Sequence, residues 1–273
     1  MLDTIVHGDC IDVMKQIPDG YIDLTVTSPP YDNLRTYNGY DFNFEGIAQE
    51  LYRVTKSGGV VVWVVGDATI KGSETGTSFK QALHFKDIGF NLHDTMIYKR
   101  RSIPLNHNRY EQHFEYMFIL SKGKPKTFNP LMQKNKKRRT SPNEGYHNQP
   151  DGGKKKMSAM RKQNSIIGNV FEYNVGYMNT TKDKNAYRHP AMFPEKLAND
   201  HIVSWSNEGD IVLDPMCGSG TTCKMAMINN RKYIGIDISG EYCEMARKRI
   251  AEHEQQLTIG DSYDTQTQKK TKV

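Results

Sequence analysis

Residues 211–228 read IVLDPMCGSGTTCKMAMI, and the rest of the chain takes its place from them. Ile211-Val212-Leu213-Asp214 is a short apolar run of buried-strand type, Gly218-Ser219-Gly220 is a turn, and 221–228 is an apolar helical stretch. Strand, glycine-rich turn and helix together form the repeating unit of parallel α/β sheets. Small residues in such a turn let the backbone approach a ligand closely, with the N–H groups of the helix start facing it. A second strand, 233–237 (YIGID), ends in Asp237, 23 residues after Asp214, where an acid can accept hydrogen bonds from a ribose.

The turn departs from the Gly-x-Gly-x-x-Gly fingerprint of dinucleotide sites, because Cys223 stands where the third glycine belongs. Asp214 at its entrance would repel a phosphate. A ribose-bearing ligand with a cationic amino-acid portion suits Asp214 and Asp237 together. S-adenosylmethionine has both features.

Working outward, helical spacing of Leu197, His201, Ile202 and Trp205 predicts a helix ahead of the 211–214 strand, and 240–253 predicts one after 237. The first half alternates in the same way. A strand at 5–9 leads to a helix stopped by Pro18-Asp19-Gly20, then a buried-type strand at 22–27 (IDLTVT). Ile47, Leu51 and Val54 predict a helix ended by Ser57-Gly58-Gly59, before a strand at 60–65 (VVVWVV). Phe79, Leu83 and Ile88 mark a further helix, followed by strands at 90–98 and 113–120. The stretch 32–43, rich in Asn, Tyr and Gly, reads as a mobile loop.

The 22–27 strand runs directly into Ser28-Pro29-Pro30-Tyr31. Two prolines remove two N–H donors and fix the backbone, leaving carbonyl oxygens to face outward. Such acceptors suit a substrate that presents donors, such as an exocyclic amine. That amine is a poor nucleophile because its lone pair is conjugated into the ring. Hydrogen bonds from its protons to Ser28 and a proline carbonyl would pull it towards tetrahedral geometry, and Tyr31 can stack on the ring.

Charge is unevenly distributed. Net charge is +6, yet 122–162 holds 13 Lys or Arg against Glu144 and Asp151, for +11, leaving −5 on the remainder. Lys134, Lys136, Lys137, Arg138 and Arg139, then Lys154, Lys155 and Lys156, are the dense spots. A single-sign block on a near-neutral remainder is the pattern of a nucleic-acid contact surface. Four cysteines without CxxC spacing point to reduced thiols rather than to disulfides or zinc. The longest apolar run is six residues, far below the ~20 of a membrane span, so no membrane partner and a cytoplasmic, nucleoid-associated place are expected.

Together these motifs resemble the amino-methylating DNA methyltransferases, which act on N4 of cytosine or N6 of adenine. Catalytic Ser-Pro-Pro-Tyr first, basic recognition region next and the Asp-Pro-x-x-Gly-Ser-Gly-Thr loop last resembles the permuted beta class. Gly8-Asp9, Tyr110-Glu111 with Lys122-Gly123, and His189-Pro190-Ala191-Met192-Phe193-Pro194 resemble further motifs of that family. The resemblance implies a doubly wound, mainly parallel Rossmann-like α/β sheet with an inserted basic recognition region. It divides the chain into a catalytic half (1–123), a recognition insertion (124–187), a cofactor-binding half (188–257) and a polar tail (258–273).

By the same resemblance Ser28, Pro29, Pro30 and Tyr31 are catalytic. Asp9, Phe193, Asp214, Pro215, Cys217, Gly218, Ser219, Gly220, Thr221 and Asp237 bind S-adenosylmethionine. Double-stranded DNA is the implied partner, with a cognate restriction endonuclease and a homodimer among the open options. A flipped base is required, because a stacked, paired amine cannot reach the methyl group. Transfer is then a direct displacement, and none of the 11 prolines precedes a cysteine, so the Pro-Cys nucleophile of carbon-5 enzymes is missing. Ser28, a neutral acceptor where many relatives carry Asp, inclines the base towards cytosine. An adenine enzyme, an RNA or protein-amide methyltransferase and a DNA-binding module without catalysis are the alternatives.

Overall fold

The computed structural model describes residues 1–30, 42–100, 109–134, 146–156, 164–183, 186 and 192–270, without the side chains of 146–148, 155–156 and 256–270. The first half runs β1 (Thr4–His7), α1 (Cys10–Met14), β2 (Ile22–Thr27), α2 (Phe44–Val54) and β3 (Thr55–Val65). It continues through the short pair β4 (Thr69–Ile70) and β5 (Ser73–Glu74) to α3 (Thr77–Asp87), β6 (Asn91–Lys99) and β7 (Phe114–Ser121). Short strands follow: β8 (Met132–Lys134), β9 (Tyr146–Asn148), β10 (Lys154–Lys156), β11 (Asn164–Ile166) and β12 (Val170–Glu172). The chain ends with α4 (Glu195–Trp205), β13 (Ile211–Asp214), α5 (Thr221–Ile228), β14 (Lys232–Asp237) and α6 (Gly240–Lys270).

Eight strands form one sheet in the order β1-β14-β13-β2-β3-β7-β6-β12. β7 pairs antiparallel with β3 and β6, and the other neighbours pair parallel, so β7 alone is reversed. From β2 the chain crosses through α2 to β3 on one side. From β13 it crosses through α5 to β14 on the other. The sheet therefore switches direction between β2 and β13, where open α/β sheets carry their ligand crevice at the carboxyl ends of the strands.

The period-2 alternation of a strand explains both cores. Val60, Val62 and Val64 join Leu24, Val26, Leu197, Ile202, Ala226 and Ile250 on the face covered by α4, α5 and α6. Val61, Trp63 and Val65 join Ile22, Leu213, Met14, Leu51 and Phe85 on the face covered by α1, α2 and α3. Trp63 is wholly buried, and its indole N–H donates to Gln81 Oε1 at 2.8 Å, satisfying its one polar atom. A residue such as Leu213 at 0% exposure contributes roughly 1.5–3 kcal/mol by burial.

Three expectations change. Ser57-Gly58-Gly59 does not separate α2 from the next strand but lies inside β3. The register jumps from Ile22 opposite Thr55 to Leu24 opposite Val60, and the bulge absorbs the extra residues. The α3 helix exists, but Phe79 and Leu83 are 50% and 58% exposed, and its buried face is Ser78, Gln81, Ala82 and Phe85. Polar anchors set that rotation: Asp67 accepts from Ser78 N at 2.8 Å and Ser78 Oγ at 2.5 Å, while Gln81 is held by Trp63. Helix α6 continues to Lys270 instead of ending near His253, because Glu252, Glu254, Gln255 and Gln256 are good helix formers. The loop expected at 32–43 lies outside the described residues up to position 41.

The chain divides into two compact units, Met1–Asn129 with Asn169–Val273, and Pro130–Gly168. The second is narrower than the 124–187 stretch set apart by composition, since Val170–Glu172 joins the central sheet beside β6. Its described residues include two antiparallel ladders, β8 with β11 and β9 with β10.

Candidate active site

Ser28-Pro29-Pro30 leaves the carboxyl end of β2, and 214–220 leaves the carboxyl end of the adjacent β13. The backbone ladder between the two strands is short, with Val212 opposite Leu24 and Leu213 opposite Thr25. Side chains extend it at both ends. Asp23 Oδ2 accepts from Ile211 N at 2.9 Å, and Thr27 Oγ1 donates to Asp214 Oδ1 at 2.8 Å. Thr222 Oγ1 adds a bond to Val26 O at 3.0 Å from the first turn of α5. The two motifs, far apart in sequence, thus leave the sheet side by side.

Asp214 is turned inward. It is 2% exposed, and its carboxylate accepts from Thr27 and from Met216 N at 3.2 Å. Burial lifts its pKa to about 6, against the pull of those two donors. The loop beyond it is tight. Cys217 N donates to Ile236 O at 2.8 Å, and Gly220 N donates to Cys217 O at 2.7 Å. Gly220 has φ 77°, and a Cβ on it would lie 2.7 Å from the Ala246 Cβ, so no other residue fits without displacing α6. Cys217 and Cys223 are buried, and the contact between them together with burial pushes the Cys217 thiol up. Cys217 therefore stays a neutral thiol and serves the loop through its backbone.

Asp237 ends β14 beside the loop. Its Oδ2 accepts from Gly218 N at 2.8 Å and its Oδ1 from Ser239 N at 2.9 Å. Burial raises its pKa while those N–H groups lower it, and it stays partly open to solvent. Asp9 follows β1, whose His7 is in register with Asp237. It caps α1, accepting from Ile11 N at 2.8 Å and Asp12 N at 3.3 Å. Phe193 is half-buried against the core on the α4 side, Pro215 and Ser219 are buried, and Thr221 opens α5. Ser28 and Pro30 are partly exposed and Pro29 is buried. Tyr31 lies outside the described residues.

These features fit S-adenosylmethionine. Carboxylates Asp214 and Asp237 flank a closely packed glycine turn, which suits a cationic ligand with a ribose. The nearby cations do not oppose it. Lys224 and Arg249 are buried, and both are neutralised by Asp183 and Glu195. Sequence reading named neither cation, nor Asp183 and Glu195, and gave Thr27 and Thr222 no role of their own beyond the motifs they belong to. The available signal was a lysine inside the otherwise apolar α5 stretch.

Of the basic residues expected to meet DNA, Lys134 on β8 and Lys154 on β10 are exposed. Lys155 and Lys156 continue β10, and Lys136, Lys137, Arg138 and Arg139 lie outside the described residues. Among the described residues no group of His, Cys, Asp and Glu could hold a metal, and no helix is long and apolar enough to cross a membrane.

Comparison with known proteins agrees with this geometry. Residues 22–248 match the N6/N4 methyltransferase family model, described as DNA methylase. The chain is 60% identical over 241 residues to the orphan methyltransferase M.BamHII of Bacillus amyloliquefaciens, covering 86% of this chain and 91% of that protein. Among solved structures, the PvuII DNA methyltransferase (cytosine-N4-specific) shares its fold at TM-score 0.66 and 21% identity, over 89% of this chain and 84% of that one. The putative DNA modification methylase TTHA0409 of Thermus thermophilus, complexed with S-adenosyl-L-methionine, does so at TM-score 0.61 and 22% identity, over 91% and 93%. The family match over residues 22–248 and the 60% identity to M.BamHII make the chain a member of the N6/N4 DNA methylase family, which draws its methyl group from S-adenosylmethionine.

Proposed function

We propose that this DNA methyltransferase modifies the exocyclic amine of a flipped base by direct displacement, and that its target is N4 of cytosine. The observation that carries the reading is the β2–β13 seam. It supports one site in which Ser28-Pro29-Pro30-Tyr31 holds the acceptor and the 214–222 loop holds the cofactor. S-adenosylmethionine, when bound, supplies a methyl group on a sulfonium centre. The chain supplies position. Asp237 meets the ribose, and Asp214 anchors the loop against β2 and keeps negative charge beneath it. Phe193 and Asp9 border the pocket.

Ser28 Oγ and a proline carbonyl accept hydrogen bonds from the two amine N–H groups, which frees the nitrogen lone pair for attack; the methylated nitrogen then gives up one proton to solvent. Alignment of that lone pair with the methyl group provides much of the rate. Ser28 is neutral and so favours the cytosine amine. Lys134, Lys136, Lys137, Arg138 and Arg139, with Lys154, Lys155 and Lys156, neutralise phosphates of duplex DNA. M.BamHII is named an orphan, and activity without a dedicated endonuclease is in keeping with that name.

Nucleoside mass spectrometry after methylation of unmethylated genomic DNA tests the reading. N4-methylcytosine is expected. N6-methyladenine alone would reverse the choice of base, and no methylated nucleoside with duplex binding intact would favour a non-catalytic binding module.

A further inference from the structure

One face of α6 forms the bed of the cofactor loop. Gly220 rests on Ala246, and Arg249 lies three residues further along the same helical face. From there it reaches both neighbours of Gly220. Its Nη1 donates to Ser219 O at 3.0 Å, Ser219 Oγ at 3.2 Å and Thr221 Oγ1 at 3.0 Å. Its Nε donates to Asp183 Oδ2 at 2.6 Å, and its Nη2 to Thr181 Oγ1 at 3.2 Å and Glu195 Oε1 at 2.5 Å. Lys224, one turn into α5, donates to the same two carboxylates at 2.7 and 2.9 Å. The Arg249 and Lys224 side chains are only 2% and 6% exposed.

A buried cluster of two cations and two anions is a poor way to gain stability, since apolar residues of similar size often serve as well or better. What it provides is direction. A guanidinium presents its donors in a rigid planar fork, so the atoms it holds are fixed in orientation as well as in distance. Here that fork grips the two residues that flank Gly220. It is in turn fixed by carboxylates from α4 and from the segment before it.

We propose that Arg249 is a positioning residue for the cofactor loop, holding Ser219-Gly220-Thr221 in binding geometry before the cofactor arrives. The proposal rests on the reading of 214–222 as the cofactor site. Preorganisation of this kind strengthens binding by removing the cost of ordering the loop, and leaves the displacement step untouched.

The test uses full-length R249M, R249K and T221V, titrated calorimetrically with S-adenosylhomocysteine and assayed for labelled methyl transfer to unmethylated genomic DNA. R249M is expected to weaken S-adenosylhomocysteine binding by about tenfold or more and to raise KM for S-adenosylmethionine in parallel, with kcat at saturating cofactor within about threefold. R249K should recover part of the loss. T221V removes a hydroxyl that Arg249 reaches but leaves all four charges in place, and should shift affinity in the same direction by less. If R249M does not fold, R249K and T221V decide. Wild-type affinity in both would overturn the proposal, and so would a fall in kcat with KM unchanged. D237A is run alongside. If D237A loses affinity and the Arg249 variants do not, only the positioning role falls. If D237A also keeps wild-type affinity, the cofactor-site reading falls and takes the positioning role with it.

Discussion

The Thr27 hydroxyl donates a 2.8 Å hydrogen bond to Asp214 Oδ1, joining residues 187 apart in sequence. Thr27 precedes the Ser28-Pro29-Pro30 turn and Asp214 opens the glycine-rich loop, so one buried bond sets the spacing of the two segments proposed to hold acceptor and cofactor. The acceptor is also a titrating group. Its carboxyl is lifted to about 6 by burial, compared with ~3.9 in an unfolded chain.

The lifted pKa gives a pH signature. The fold binds the Asp214 proton more tightly than the unfolded chain does. Its contribution to stability is therefore complete below about pH 4 and is lost as pH rises through about 6. Asp183, whose pKa is lowered despite burial by Lys224 and Arg249, works in the opposite sense and loses its contribution as pH falls. D214N removes the first effect and spares the second. Urea unfolding should show D214N gaining on wild type between pH 4 and pH 8, by on the order of 1–3 kcal/mol. A difference that stays flat across that range would refute the assignment.

T27V should be destabilised by about 1–3 kcal/mol, because it leaves a buried carboxylate short of a donor. The loss should be larger at pH 8 than at pH 4, where Asp214 is protonated. Denaturant midpoints at the two pH values measure it.

D237A should weaken cofactor binding by about 1–3 kcal/mol, roughly 5- to 150-fold in Kd, with a smaller change in duplex affinity. Calorimetry with S-adenosylhomocysteine reads this directly, and an unchanged Kd would remove Asp237 from the site.

Y31A should abolish methyl transfer while cofactor affinity stays near wild type. Turnover at the wild-type rate would mean that the ring does not hold the base.

Replacing Lys136, Lys137, Arg138 and Arg139 with Gln should flatten the plot of log K against log salt for duplex DNA by up to about 4. A slope equal to wild type would leave those residues as a solvated loop.

Sequence patterns that depend on neighbouring residues were legible, and those that depend on distant partners were not. Val60 to Val65 reads as a strand because burial on both faces demands apolar residues throughout, and 22–27 because Ile22, Leu24 and Val26 recur at period two. The 211–228 unit was readable because turn and helix chemistry is local. The outward face of α3 was not, since Phe79 and Leu83 are apolar yet exposed, and the rotation is set by Asp67 and Trp63, 11 and 18 residues from their partners. The support of the cofactor loop was hidden for the same reason. Arg249 meets Asp183 across 66 residues and Glu195 across 54, with no spacing rule to signal either. Nor did composition show that Val170–Glu172 belongs to the central sheet, because it is a short edge strand with exposed ends.

The strand order also bears on how the molecule is made. β1 and β2 leave the ribosome early, but they are not neighbours, because β14 and β13 lie between them. Until those last strands emerge, β2 has no partner on one side, and Leu24 and Val26 lie along an open, adhesive edge. Closing the Thr27–Asp214 gap then costs roughly 5 kcal/mol of chain entropy, an expense that non-local pairing meets only late in folding. The nascent chain thus completes its basic segment well before the glycine-rich loop after β13 is made, and the centre of the sheet is the last part to be filled.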